Sequence, residues 1–234
     1  MSMDPAQRRE ILVRYLQGHF ARVGVNLGRV KTLCDLAPGH NSHQSADLYR
    51  AAVVLLYATL EDFLRYVAGH RLKGCGPEVL DSIPILGSKD PQRAEKFLLG
   101  QLAQHRGLTV DEVIGKSVDA YVERMTFSDT SDIARLFKAI GVRTEPFDTQ
   151  FSELQPLLKR RHDIVHRADM GAIVVNGERL PNPLTAAEVD AWNTSVLNFL
   201  SLAMGYCMPA SLAEDSSGSG AALREALDSL VSPY

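Results

Sequence analysis

The chain has 234 residues, of which 45% are hydrophobic, and a formal net charge of −3 at pH 7. This length and hydrophobic content are enough for one globular domain, or for one domain with an appendage. The slightly negative charge disfavours a protein that coats nucleic acid through bulk positive charge, but it leaves room for a small basic site.

The cysteine pattern and the apolar runs indicate a soluble, cytoplasmic protein. Cys34, Cys75 and Cys207 are odd in number and widely separated, which favours reduced thiols over a disulfide framework. The first ten residues are charged and lack the apolar core of a signal peptide. The apolar run 51–60 is too short to span a bilayer, so we expect no membrane association.

Two long helices are predicted in the first third of the chain. An aspartate–proline pair at 4–5 is typical of a helix start, and apolar residues follow at helical spacing to about residue 35. Glycines within this stretch could bend or break the helix. After a turn at 36–44, a second pattern covers 45–71. Its nearly continuous apolar residues indicate a central helix that is covered on more than one side.

Glu61 follows the apolar run of this second helix, and we expect it to be at least half buried. Its carboxylate has two candidate partners. The simpler one is Arg65, four residues further along the same helix. The other is Arg161, on a later helix that would pack across the bundle.

The middle of the chain is predicted to form a helical insertion, at about 73–147, packed on the core helices. The stretch 73–91 contains three glycines and three prolines, which is typical of a loop. Three shorter helices are then expected at 91–102, 111–125 and 131–140, followed by a turn at 141–147.

A late helix over 154–168 carries the clearest chemical signal in the sequence. Six apolar residues fall within roughly 60° of one direction on this helix. They are Leu154, Leu157, Leu158, Ile164, Val165 and Ala168. Arg161 points the same way, and because a buried unpaired guanidinium is very costly, it should be paired or should line a cleft. His162 and His166 lie about 100° and 140° round the helix from Arg161.

The limits of this helix follow from its flanking residues. It is expected to begin within 148–155, with Pro156 in or near its first turn. It should end by Gly171, and Lys159, Arg160, Asp163 and Arg167 should occupy its wetter side.

The last part of the chain is predicted to contain a short β-hairpin and a final helix. The hairpin lies within 172–180, around an Asn-Gly turn. Thr185 and Glu188 form a capping box that opens the helix. We therefore divide the chain into a helical domain at 1–208 and a C-terminal segment at 209–234, with a flexible linker and a short amphipathic helix.

The six residues R-H-D-I-V-H that begin at Arg161 resemble the signature of the HEPN superfamily, small all-helical domains often found as RNA-cutting toxins. Arg161 matches the arginine of that signature, His162 its polar residue and His166 its histidine. The run LLYATLEDFLRYVA at 55–68 is similar to the second helix of the RiboL-PSP type of HEPN domain.

The resemblance covers about residues 5–207, more loosely in the middle. It implies an all-α, HEPN-like helical bundle, with the helical insertion and possibly one short β-hairpin. It also implies a homodimer in which two signature helices form a composite cleft. One subunit offers one convincing histidine and a dimer two, and the cleft would accommodate Arg161.

The activity implied by the resemblance is metal-independent endoribonuclease cleavage, with no cofactor. His166 would be the acid–base group, and Arg161 would stabilise the negative charge on the phosphate. His162 and Asp163 would orient Arg161, with Glu61 as a further supporting residue.

Three more basic residues would position the RNA phosphates: Lys159, Arg160 and Arg167. The alternative for these three is a solvated basic face. A toxin or defence role, held in check by an antitoxin or another regulatory protein, is implied by the resemblance alone.

Two other functions stay open. The H-D-x-x-H pattern at 162–166 is similar to the zinc-protease pattern H-E-x-x-H, with the glutamate shortened by one methylene. No histidine follows this pattern, so a third ligand would have to be His40, His43 or an acid such as Asp169. The expectation is therefore no metal. The remaining alternative is a non-catalytic HEPN-like module that binds RNA, nucleotide or protein.

Overall fold

The computed structural model describes residues 5–87, 99–175 and 178–207. In these ranges the chain forms seven α-helices and one two-stranded antiparallel sheet, which confirms the predicted all-α class with one short hairpin. The helices are α1 (Pro5–Leu36), α2 (Ser42–Leu72), α3 (Pro77–Leu80), α4 (Val110–Val122), α5 (Thr130–Ala139), α6 (Asp148–Arg167) and α7 (Ala186–Cys207). The strands are β1 (Met170–Val175) and β2 (Glu178–Pro181), and together they form the hairpin.

The second helix, α2, is the centre of the bundle. The helices α1, α6 and α7 pack along it, and α4 and α5 contact it from the middle of the chain. Ala52, Val53, Leu56, Leu60 and Phe63 are all completely buried. Because these residues do not share one narrow stripe, α2 needs packing partners on several sides, as its sequence pattern predicted.

The first helix, α1, is continuous despite its glycines. Phe20, Val23, Leu27 and Val30 are buried in the core that α1 shares with α2. This packing outweighs the cost of each glycine in a helix interior, about 1 kcal/mol. The next helix begins at Ser42, earlier than predicted, because the side chain of Asn41 accepts a hydrogen bond from the Gln44 N–H at 3.1 Å.

The middle of the chain is helical, with some corrections to the predicted elements. One turn of helix, α3, lies within the predicted loop 73–91. Most of the helix predicted at 91–102 falls outside the described residues. Its described end belongs to a 3₁₀-helix, Leu99–His105, rather than an α-helix. Helices α4 and α5 lie close to their predicted limits, and a capping box begins each of them.

Pro156 lies well inside α6, so the prediction that it falls in or near the first turn was wrong. A 3₁₀-helix at Glu145–Phe147 leads directly into Asp148, and α6 therefore begins early. A proline in a helix interior removes one backbone donor, at a cost of about 3 kcal/mol. Leu154 and Leu157, both completely buried, hold the helix against the core on either side of the proline.

The apolar stripe of α6 is buried only in its first half. Leu158 is buried and Ile164 packs partly against the core. Val165 is 48% exposed, and Ala168 is also exposed. The helix extends past the edge of the core, so its C-terminal part presents both apolar and polar side chains to the surface.

The final helix, α7, follows the predicted capping box, in which the Thr185 hydroxyl accepts from the Glu188 N–H at 3.3 Å. Its Phe199 ring stacks on Phe137 of α5, with centroids 5.9 Å apart. The three cysteines are free. No helix in the described ranges is both long and apolar enough to cross a membrane. The predicted C-terminal linker and helix lie outside the described residues.

Candidate functional site

The signature residues lie in the part of α6 that extends past the core. Arg161 is partly buried, whereas His162 and His166 are exposed. The two imidazole rings are adjacent, with centroids 4.8 Å apart and planes inclined at 46°. This contact follows from their i, i+4 spacing on one helix. A single chain therefore presents two neighbouring imidazoles, where the sequence indicated one convincing histidine per chain.

Arg161 lies over an aromatic ring and not against a carboxylate. Its Cζ atom is 4.2 Å from the centroid of the Tyr57 ring on α2, well within the range of a cation–π interaction. Its Nε atom is buried without a hydrogen-bond partner. Among the residues that the structure describes, no hydrogen bond or ion pair engages the Arg161 side chain.

Tyr57 is itself held at its hydroxyl end. The hydroxyl oxygen lies 3.1 Å from Glu61 Oε1 and 3.3 Å from the carbonyl oxygen of Phe127, so it can donate to either. Burial, together with the negative charge of Glu61, raises the pKa of Tyr57 to about 12, although the charge of Arg161 opposes the shift. The phenol therefore stays protonated and keeps its proton for hydrogen bonding.

Glu61 takes the simpler of its two predicted partners. Its carboxylate pairs with Arg65 at 3.2 Å, and its side chain is only 13% exposed, as expected for a residue at least half buried. No ion pair joins Glu61 to Arg161 within the described ranges, because Tyr57 lies between them. Arg65 also donates to the carbonyl of Met125 at 2.9 Å, so it is fixed in place.

Arg160 has a different environment from Arg161. It donates from Nη2 to Oδ2 of Asp169 at 2.9 Å, and Arg50 of α2 donates from Nε to the same oxygen at 2.7 Å. Both guanidinium groups also donate to the carbonyl of Asn182 at 3.0 Å. The Asp169 side chain has no exposed surface and that of Arg160 is 15% exposed. The prediction that Arg160 occupies the wet side of the helix was wrong, because a buried carboxylate draws it inward.

Asp169 has an unusual backbone conformation, which its bonds to Arg50 and Arg160 help to stabilise. Ala168 and Asp169 have φ values of 50° and 57°, in the left-handed region that glycine usually occupies. Each such residue costs on the order of 1–2 kcal/mol. The Asp169 N–H donates to the carbonyl of Asp163 at 2.9 Å, which closes the end of α6. Both guanidinium groups donate to Oδ2, and Oδ1 accepts from Asn182 Nδ2 at 3.4 Å, so the buried carboxylate is occupied by protein donors.

Lys159, Asp163 and Arg167 differ in exposure, and the Asp163 side chain is only 19% exposed. Lys159 is exposed, and Arg167 pairs with Asp163 at 3.3 Å. Asp163 therefore contacts Arg167 and makes no hydrogen bond to Arg161. In the described ranges, no group of three or more His, Cys, Asp or Glu side chains is placed to hold a metal ion.

Comparison with known proteins identifies the family of the chain. A family model described as the RiboL-PSP-HEPN domain matches residues 29–202, which include both the signature and Tyr57. The chain belongs to the RiboL-PSP-HEPN family. No curated protein and no solved structure matches the chain.

Sequence reasoning missed two residues of this RiboL-PSP-HEPN site. Tyr57 was part of an apolar run, and its only distinguishing signal was the Glu61 carboxylate four residues later. Asp169 was considered only as a possible metal ligand. Its partner Arg50 is 119 residues away in the chain, and no local pattern links the two.

The Asp169 network can be tested by unfolding. Asp169→Asn removes the charge that neutralises Arg50 and Arg160, and leaving buried guanidinium groups uncompensated costs about 3–5 kcal/mol. We expect this loss in the free energy of unfolding, measured by urea denaturation followed by circular dichroism.

Asp47→Asn is the matched control for Asp169→Asn. Asp47 pairs with the same Arg50 at 3.1 Å but has a side chain that is 77% exposed. Exposed pairs contribute little, so this change should barely lower stability. Equal urea midpoints of unfolding for Asp169→Asn and Asp47→Asn would show that Asp169 does not hold the network together.

Proposed function

We propose that this protein is a metal-independent endoribonuclease whose reaction depends on Arg161 and His166. The observation that supports the proposal is the state of these two side chains. His166 is exposed beside a second imidazole, and Arg161 is fixed over a ring with no carboxylate bound to it. A buried ion pair would have left Arg161 a purely structural role.

The proposed reaction is an attack by a ribose 2′-OH on the adjacent phosphate. The 2′-oxygen forms a bond to phosphorus and the bond to the 5′-oxygen breaks, which leaves a 2′,3′-cyclic phosphate and a 5′-OH. His166 transfers a proton in this exchange as the general acid–base group. Arg161 stabilises the negative charge on the phosphoryl oxygens. We propose the second proton transfer for His162, whose ring centroid is 4.8 Å from that of His166.

Two exposed cations are proposed to position the RNA backbone. Lys159 and Arg167 lie on the same exposed part of α6 as the imidazoles. Contacts of this kind strengthen binding and make it depend on salt, without reading the sequence. Arg160 is left out of this set because its guanidinium is engaged by Asp169.

We also propose that the protein acts as a homodimer through the end of α6. Three large apolar side chains are exposed here: Val165 at 48%, Met170 at 45% and Leu180 at 46%. These residues lie at the end of α6 and in the hairpin that directly follows it. Exposed apolar side chains on neighbouring elements favour a protein interface. A toxin or defence role with a regulatory protein partner is proposed on the resemblance to HEPN toxins.

The first test is RNA cleavage by His166→Ala. Loss of the acid–base group should lower the rate by about 100-fold or more, while circular dichroism stays unchanged. His43→Ala removes another exposed histidine, at the start of α2, and should cut like the wild type. Equal cleavage by His166→Ala would remove His166 from the mechanism. A folded wild-type protein that binds RNA without cutting it would favour a binding module.

The second test is cleavage of total RNA in the presence of EDTA. The proposed chemistry needs no metal, so the rate should be unchanged, and mapping of the fragment ends should show 2′,3′-cyclic phosphates and 5′-OH groups. Loss of activity in EDTA and rescue by zinc would instead support a zinc site at His162 and His166.

The third test concerns the dimer. Val165→Glu should convert a dimer into a monomer, as measured by light scattering after size-exclusion chromatography, because burying the new carboxylate at the interface is unfavourable. Val110→Glu is the matched control, since Val110 is 76% exposed at the start of α4. A Val165→Glu protein that remained dimeric would place the interface elsewhere.

A further inference from the structure

We propose that Tyr57 is a positioning residue that holds Arg161 by the face of its ring, so that the terminal Nη N–H groups of Arg161 stay available to an RNA phosphate. This inference rests on the ribonuclease function proposed above. It assigns a role to a residue of α2, far in sequence from the signature.

The support for Arg161 is rigid. Tyr57 is 3% exposed and belongs to the central helix of the bundle. Its ring is fixed at the hydroxyl end by Glu61 and by the carbonyl of Phe127. The Arg161 Cζ atom lies 4.2 Å from the ring centroid, so a small movement of the ring would move the guanidinium with it.

A ring supports an arginine differently from a carboxylate. A carboxylate accepts the N–H groups of a guanidinium and neutralises its charge, as Asp169 does with Arg160. The face of an aromatic ring attracts the cation without accepting those N–H groups. The Arg161 side chain therefore keeps its charge and its terminal Nη donors for an incoming phosphate, while Nε is buried.

The carboxylate of Glu61 does not pair with the Arg161 guanidinium, because other groups hold it. Its carboxylate is paired with Arg65 at 3.2 Å and lies at the hydroxyl end of Tyr57. We infer that Glu61 acts on Arg161 only through the tyrosine, which it helps to orient.

The central experiment compares RNA cleavage by three variants under EDTA. Tyr57→Leu keeps an apolar side chain but removes the ring, and we expect kcat to fall about ten- to a hundredfold, as for a misplaced catalytic group. Tyr57→Phe keeps the ring but loses the hydroxyl that bonds Glu61 and Phe127, so its kcat should fall clearly less than that of Tyr57→Leu.

Tyr66→Leu is the matched control for this comparison. Tyr66 is another buried ring of α2, and it stacks on His19 with centroids 4.0 Å apart. Its loss should lower stability without a comparable fall in kcat. If Tyr57→Leu and Tyr66→Leu lowered kcat equally, the effect would be structural and the proposal would be overturned.

A double-mutant cycle tests whether Tyr57 acts through Arg161. In an Arg161→Ala background, Tyr57→Leu should cause no further loss of kcat, because the group that it positions is already absent. A full additional loss in that background would show that Tyr57 affects the reaction by another route.

A measurement without RNA separates this inference from the proposed function. Protons over an aromatic face resonate upfield, so the Arg161 Nε–H signal, identified by its absence in Arg161→Lys, should be shifted upfield in the wild type and in Tyr57→Phe. This holds even if Tyr57→Leu does not fold. Cleavage without the upfield shift would overturn the role of Tyr57 alone. The shift without any cleavage by the wild type would overturn the ribonuclease proposal, and the role of Tyr57 in catalysis with it.

Discussion

One buried carboxylate determines how the end of the signature helix is built. Asp169 has no exposed surface, and a charge in that position is tolerated only when it is paired and hydrogen-bonded. Its carboxylate pairs with Arg50 of α2 and Arg160 of α6. Its backbone carbonyl accepts a hydrogen bond from the Asn182 N–H at 2.8 Å. Three parts of the chain are joined at this point: the central helix, the signature helix and the segment that follows the hairpin. These bonds offset the strain of two consecutive left-handed residues.

Two consecutive arginines of α6 show how one helix can serve both structure and chemistry. About 100° of rotation separates Arg160 from Arg161. That rotation directs Arg160 to a buried carboxylate and Arg161 to the face of Tyr57. Arg160 donates its hydrogen bonds to groups of the protein, whereas Arg161 makes none within the described ranges. The difference between the two lies in their partners, since both residues are of the same type and in the same helix.

The sequence predicted the helices well because their apolar residues recur with the period of a helix, and a capping box marked the start of α7. It also identified the signature and placed it on a late helix. Helical periodicity gives the direction of a side chain but not its partner or the extent of the core. It placed Val165 in the apolar stripe, although this residue is exposed, and its prediction of a solvated Arg160 was wrong. Arg160 pairs with Asp169, beyond the end of α6, whereas Arg161 lies on Tyr57 of α2, and a single sequence contains no pattern that encodes either contact.

The position of Asp169 also limits whether the signature alone can be grafted onto another protein. All six signature residues lie before it, so a segment grafted onto the helix of another protein would carry the motif intact. The graft would lack Asp169 and Arg50, and with them the anchor that turns Arg160 inward. It would also lack the ring under Arg161. The short motif marks the site, but the portable unit is α2 together with α6 and the residues that follow it as far as Asn182.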